Sequence, residues 1–167
     1  MIKNKKIEQA LIGQIKNEEH SSRLYMAMAS WCHANGFHGA SKYLFKQSDE
    51  ERAHMLKIVN YVNERGGHAT LSELDNLTDN YKTLIEVFEK ILKHEEFITT
   101  EINNLYEESM KSKDYATATF IQWFITEQLE EESTFQDILD KMRMTGSTPG
   151  GVYWIDRELA MIAAGRG

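Results

Sequence analysis

Four carboxylates stand where a helical sequence would ordinarily place leucine, and their spacing suits the binding of metal ions. The run Leu84, Phe88, Ile91, Glu95, Ile98, Ile102, Leu105 keeps the 4-3-4-3 spacing of one helical face, with a glutamate at its centre. The same interruption recurs at Glu18, at Glu51 with His54 one turn on, and at Gln128 with Glu131. A carboxylate withdrawn from water loses its hydration and repels its like neighbours, so converging acids need a cation to stay ionised. The facing stripes supply no lysine or arginine for that purpose. Four acids and one imidazole on inward faces therefore predict a metal cluster inside a helix bundle.

Glu51-x-x-His54 puts a carboxylate and an imidazole on one face, a turn apart, as two ligands of a single ion require. Glu18, Glu51, Glu95 and Glu131 carry four negative charges, which two divalent ions would neutralise, while His54 adds a neutral donor. Oxygen-rich ligation with one nitrogen and no thiolate suits iron or manganese better than zinc. Glu50, Glu127 and Glu130 lie one position beside these residues and turn toward one edge of the bundle. Spacing alone leaves them open between a second acidic group and ordinary glutamates on a solvated face. By spacing alone Tyr25, on the inward stripe of the first helix, is a core residue.

The elements that must carry these residues are all helical. The first spans about 5–34, with Ile7, Leu11, Ile15, Glu18, Ser22, Tyr25, Met28 and Cys32 inward, and breaks at Asn35-Gly36. The second begins near Phe37 or Gly39 and runs to about Arg65, where Gly66-Gly67 stops it. So short a break makes the first two helices antiparallel neighbours. The third spans about 82–110. A turn at Lys111-Ser112-Lys113-Asp114 leads to the fourth, about 115–144, with stripe Ile121, Phe124, Gln128, Glu131, Phe135, Ile138, Met142. The connection between the second and third helices is too long for a tight turn, and its length has a geometric reason. A helix of about 28 residues is roughly 42 Å long, and about 15 extended residues reach roughly 50 Å. The chain can thus return along the whole bundle, so the third helix runs parallel to the second. Beyond the breaker-rich 145–151 segment, residues 152–164 form a fifth helix too short to stand alone, whose Trp154, Leu159, Ile162 and Ala163 need a surface. Residues 1–145 and 146–167 are read as bundle and appended helix of one domain.

Composition agrees with this. The 167 residues include one proline and one cysteine, so no internal disulfide forms. Lys plus Arg total 19 against 26 for Asp plus Glu, a net charge of −7 that disfavours nucleic acid and anionic lipid and favours cations. The basic start, Met1-Ile2-Lys3-Asn4-Lys5-Lys6, has no apolar run behind it, and no membrane span is apparent. A cytoplasmic location is expected. His20, His33, His38, His68 and His94 lie off the stripes or in loops and read as solvent-facing or as contacts between subunits. Trp31, Trp123 and Trp154 read as packing residues, and Cys32 as a small core residue.

With these residues in hand, the chain resembles the bacterial non-haem ferritins over nearly its full length. The matching stretches are Glu18-Glu19-His20-Ser21-Ser22, 49–55 (Asp-Glu-Glu-Arg-Ala-His-Met), Lys93-His94-Glu95 and 122–132, from Gln122 to Glu132. The resemblance implies a ferritin-like four-helix bundle, up-down-down-up, with a long crossover and a short fifth helix. It implies a diiron centre in which Glu18, Glu51 and His54 hold one iron, while Glu51 bridges to a second held by Glu95 and Glu131, with Gln128 nearby. It implies a third iron site at Glu50, Glu127 and Glu130, and a place for Tyr25 beside the pair, able to hydrogen-bond a carboxylate or supply an electron. The implied activity is oxidation of Fe(II) by dioxygen or hydrogen peroxide and storage as ferric mineral in a hollow homo-oligomeric shell of 24 subunits. Departures narrow the choice. The fourth helix reads Gln128-x-x-Glu131 where bacterioferritins and diiron oxygenases have a second Glu-x-x-His, and Arg52 stands where haem-binding relatives place a methionine, so no haem is expected. The rival readings are a diiron peroxidase or oxidase that stores nothing, and an acidic bundle serving only as a scaffold.

Overall fold

The computed structural model describes residues 4–78 and 80–165; the basic start at Met1, Ile2 and Lys3 and the last two residues of the 146–167 segment lie outside them. Among the described residues there are five α-helices and no strand: α1 (Lys5–Ala34), α2 (His38–Glu64), α3 (Leu84–Lys111), α4 (Tyr115–Thr145) and α5 (Pro149–Ala163). Four begin on a side chain that accepts from the first turn: Asn4, Thr83, Asp114 and Thr148. Gly36 and Gly66 end α1 and α2 at φ of 85° and 75°, where a Cβ would be strained.

Contacts at the helix ends set the topology. Asn4 Nδ2 donates to Ser112 Oγ at 2.8 Å and Lys6 Nζ reaches Glu108 at 2.7 Å, so the start of α1 lies beside the end of α3. The same end of α1 meets the chain leaving α2, where the His68 N–H donates to Glu8 at 3.2 Å. Both α2 and α3 therefore run opposite to α1 and parallel to each other. Arg65, just past α2, pairs with Asp114 at the start of α4 at 3.3 Å, which makes α4 antiparallel to α2. The result is an up-down-down-up bundle with the long crossover the sequence demands. No helix among the described residues is long and apolar enough to cross a membrane.

The core is split in two. One apolar cluster, with Ile7, Leu11, Ile58, Ile102 and Phe124, fills the end where α1 begins. The other, with Tyr25, Leu44, Phe88, Phe135 and Leu159, fills the end against which α5 packs. The stripe acids lie between them in sequence on every long helix, so a polar belt crosses the middle of the bundle.

The fifth helix is tied down by a device the sequence did not announce. Phe37 begins α2 without a side-chain cap. Asp156 of α5 supplies one, accepting from the Gly39 N–H at 3.0 Å and the Ala40 N–H at 2.8 Å. The approach is so close that a Cβ on Gly39 would lie 1.7 Å from the Asp156 carbonyl oxygen. Gly39→Ala is expected to lift α5 and cost about 1–3 kcal/mol, read as a lower midpoint in chemical denaturation. An unchanged midpoint would show that α5 adds nothing to stability.

Three local expectations need correction. Helix α5 starts at Pro149, ahead of the expected Val152, because proline is preorganised for a first helical position behind the Thr148 cap. Trp154 is 49% exposed, and Ile155 fills the seam with Leu159 instead. On α1, Ser21 is buried while Ser22 is half-buried, bonding the Ser48 carbonyl at 2.7 Å. The strict heptad drifts against the true 3.6-residue turn, which shifts the inward position by one.

Candidate metal centre

Each long helix brings one or more of its stripe acids to the belt. Glu18, Glu51 and His54 offer ligand atoms that all lie within 4.8 Å of one another, and all three side chains are buried. His54 Nδ1 lies 3.4 Å from Glu51 Oε2 and 3.9 Å from Glu18 Oε2. Its other ring nitrogen lies 3.9 Å from Glu127 Oε1. The ring is braced edge-on by Trp123 at 5.3 Å and Phe124 at 6.1 Å between centroids. Lys57 Nζ sits 3.4 Å from the Trp123 ring centre, so the indole is a bridge between the imidazole and a surface cation.

Glu95 and Glu131 enter from the other pair of helices. Both oxygens of Glu95 are held: the Tyr25 hydroxyl donates to Oε1 and Gln128 Nε2 donates to Oε2 at 2.9 Å. Gln128 also reaches Thr99 Oγ1 at 3.4 Å, so its amide braces α4 against α3. Glu131 Oε2 accepts from Gln47 Nε2 at 3.4 Å. The flanking acids are placed differently from one another. Glu127 reaches His54, Glu50 is half-buried with Lys46 Nζ at 4.0 Å, and Glu130 is exposed.

Burial and mutual repulsion dominate the electrostatics of these acids. Burial is the first cause that raises the Glu18 carboxyl well above its ordinary value, followed by the charge of Glu51. Glu51 is pushed up to about 8, by burial first and then by Glu131, Glu50 and Glu127 against the hydrogen bond from Glu18. Glu131 is raised to about 8 by burial and by Glu95 and Glu50. Glu95 rises to about 7, by burial against the opposing hydrogen bond from Gln128. Each acid names others of the belt among its causes, so the group behaves as one coupled cluster. A cation placed among these oxygens would reverse every one of these shifts.

The belt also contains residues that the apolar stripes do not single out. Gln14 is buried and donates to Glu18 Oε1 at 2.7 Å, while Asn17 donates to Gln14 at 3.1 Å. Gln14 and Gln47 each stand four residues before a stripe acid, one turn away on the same face, and that spacing is visible in the sequence. His94 is the larger surprise. It is half-buried on α3: its Nε2 lies 2.8 Å from Ser21 Oγ, and burial pushes the imidazole down to about 4. A position about 100° off the core stripe here reaches the neighbouring helix α1 through Ser21.

A family model for the ferritin-like domain matches residues 8–145. The chain is 40% identical over 163 residues to the bacterial non-heme ferritin of Campylobacter jejuni, covering 98% of each. It is 36% identical over 162 residues to that of Escherichia coli O157:H7, covering 97% of this chain and 98% of the other. Among solved structures, an open pore ferritin from the hyperthermophilic archaeon Archaeoglobus fulgidus aligns with a TM-score of 0.93 at 34% identity, over 95% of this chain and 97% of that one.

Proposed function

The chain belongs to the ferritin family, and from that premise we propose that it oxidises ferrous iron within each subunit and stores the product as ferric mineral inside a hollow 24-subunit shell in the cytoplasm. The observation that carries this reading is the trio Glu18, Glu51 and His54, closed on one another inside otherwise apolar stripes. Two substrate Fe(II) ions would sit about 3.5–4 Å apart, the separation of two-metal sites. Glu18 and His54 would hold one, Glu95 and Glu131 the other, and Glu51 both. Each ion gives up one electron and the oxidant, dioxygen or hydrogen peroxide, accepts the pair. Hard carboxylate oxygens favour the higher charge of the product, which provides a driving force.

The protein side of the reaction is positioning. Gln14 aims Glu18, Gln128 and Tyr25 fix the two oxygens of Glu95, and Gln47 steadies Glu131. These bonds orient three of the four acids before any ion arrives, so little reorganisation follows binding. Glu50 and Glu127 act electrostatically on Glu51 and Glu131, and together with the exposed Glu130 they would take a third ion. Its removal by Glu130→Ala is expected to change the oxygen consumed per iron and slow regeneration of the centre. Identical values in an oxygen-electrode titration of both proteins would remove the third site from the scheme.

Aerobic loading with Fe(II), followed by electron microscopy, tests the whole reading; mineral-filled particles are expected. Size-exclusion chromatography supplies the second arm, because storage needs an assembly of many 19.3 kDa subunits. Oxidation by small species without mineral would favour the peroxidase or oxidase alternative. An anaerobic titration without saturable Fe(II) binding would leave only a scaffold.

A further inference from the structure

Between α1 and α3, outside the belt, lies a cavity of about 360 Å³ walled by Leu24, Met28, Lys90, Lys93, His94 and Phe97. His94 both lines this cavity and packs against Tyr25. Its ring meets the phenol edge-on, centroids 6.1 Å apart and planes at 85°. Phe135 packs on the phenol from its own helix, at 6.2 Å. Tyr25 is fully buried and spends its hydroxyl on Glu95.

We propose that His94 is a positioning residue for Tyr25: tethered to Ser21, it closes the outer cavity and holds the phenol so that its hydroxyl stays on Glu95. The geometry gives each part of this a reason. The imidazole is fixed from α1 by the 2.8 Å contact with Ser21 Oγ, so it cannot swing out into the cavity. It is further flanked by His20 at 5.8 Å and Phe97 at 6.1 Å. Flanked by His94 and Phe135, the phenol is held in the orientation in which its hydroxyl donates a hydrogen bond to Glu95 Oε1. A shorter side chain at 94 would open the phenol to the cavity, where water could compete for the hydroxyl. An aliphatic side chain of similar size would keep the ring covered yet lose the tether. His94 thus acts on the iron site through Tyr25 and touches no iron itself.

This inference rests on the iron-oxidising reading above, and a double-mutant cycle separates the two. The variants are His94→Leu, Tyr25→Phe and their combination, each assayed for initial Fe(II) oxidation at two ions per subunit and for anaerobic Fe(II) binding. His94→Leu alone is expected to slow oxidation about tenfold, the low end of the range for a residue outside the ligand set, with binding stoichiometry unchanged. Added to Tyr25→Phe, it is expected to slow oxidation no further, because the residue through which it acts has lost its hydroxyl. His94→Gln, which can still hydrogen-bond Ser21, is expected to recover most of the rate. Multiplying effects in the double variant, no effect of His94→Leu, or no effect of Tyr25→Phe would each overturn the proposal. A parent protein that binds Fe(II) and never oxidises it would instead overturn the functional reading on which the proposal stands.

Discussion

Glu51→Ala is expected to abolish fast Fe(II) oxidation, lowering the initial rate by about 100-fold or more, beyond the 10–100-fold typical of residues that merely support a ligand. Glu51 is the hub of the belt. Its carboxylate lies 3.4 Å from His54 and hydrogen-bonds Glu18, and the charges of Glu131, Glu50 and Glu127 all act on it. Removing it takes a ligand from both proposed ions and separates them electrostatically, since no shared anion then lies between two cations. The helices should persist, because the substitution removes a poorly solvated acid from the interior and leaves both apolar clusters intact. Stopped-flow absorbance gives the rate and circular dichroism the helix content. Glu50→Ala, one position away and half-buried, serves as the comparison and should cost far less at the first two ions. A parental initial rate in Glu51→Ala would overturn the assignment of the centre.

The second large effect is on stability, and its sign is opposite to that of most acids. Glu51 and Glu131 are raised to about 8 and Glu95 to about 7, all from an ordinary carboxylate value of 4.5. Between these limits the folded chain retains protons that the unfolded chain has released. Raising the pH therefore favours unfolding: the stability contributed by the neutral acids is complete below about 4.5 and disappears as pH rises through 7 to 8. Because the acids are coupled, their joint effect is on the order of a few kcal/mol. Metal-free protein should show a lower denaturant midpoint at pH 8 than at pH 5.5. A redox-inert divalent cation should restore it, by about 2.7 kcal/mol at a hundred times its dissociation constant. Glu131→Gln should flatten the pH dependence, since its amide carries no charge at either pH. A metal-free midpoint that rises between pH 5.5 and 8 would show that the belt acids are hydrated rather than buried.

Both effects come from one conflict in the chain. The apolar stripes require that the helices close, and closing them drives the acids together. Two apolar clusters on either side of the belt supply the burial that holds the repelling group in place. Among the described residues, the usual remedy for buried charge, a facing lysine or arginine, forms no ion pair with Glu18, Glu51, Glu95 or Glu131. The cluster thus calls for a cation from outside the chain, as the proposed iron substrate would be.

Much of this was legible in the residues alone. The 3.6-residue period of the stripes marks four helices and their inward faces, and a single glutamate out of phase with no neighbour stands out against leucine and isoleucine. Helix α1 lies at 5–34 as read, and the crossover is long enough to let α2 and α3 run parallel, as they do. Glu51 and His54 meet because a turn of helix joins them, and periodicity sees such local relations. Relations between helices are another matter. Burial of His94 depends on which side of α3 faces α1, the capping of α2 by Asp156 on a residue more than a hundred positions away, and the two bonds that fix Glu95 on α1 and α4 together. A stripe pattern reports whether a position points inward along its own helix, so it determined the cluster and the bundle. It carries no information on rotation between neighbouring helices or on which donors reach which oxygens, because those follow from packing of all the helices at once; only the tertiary structure decided them.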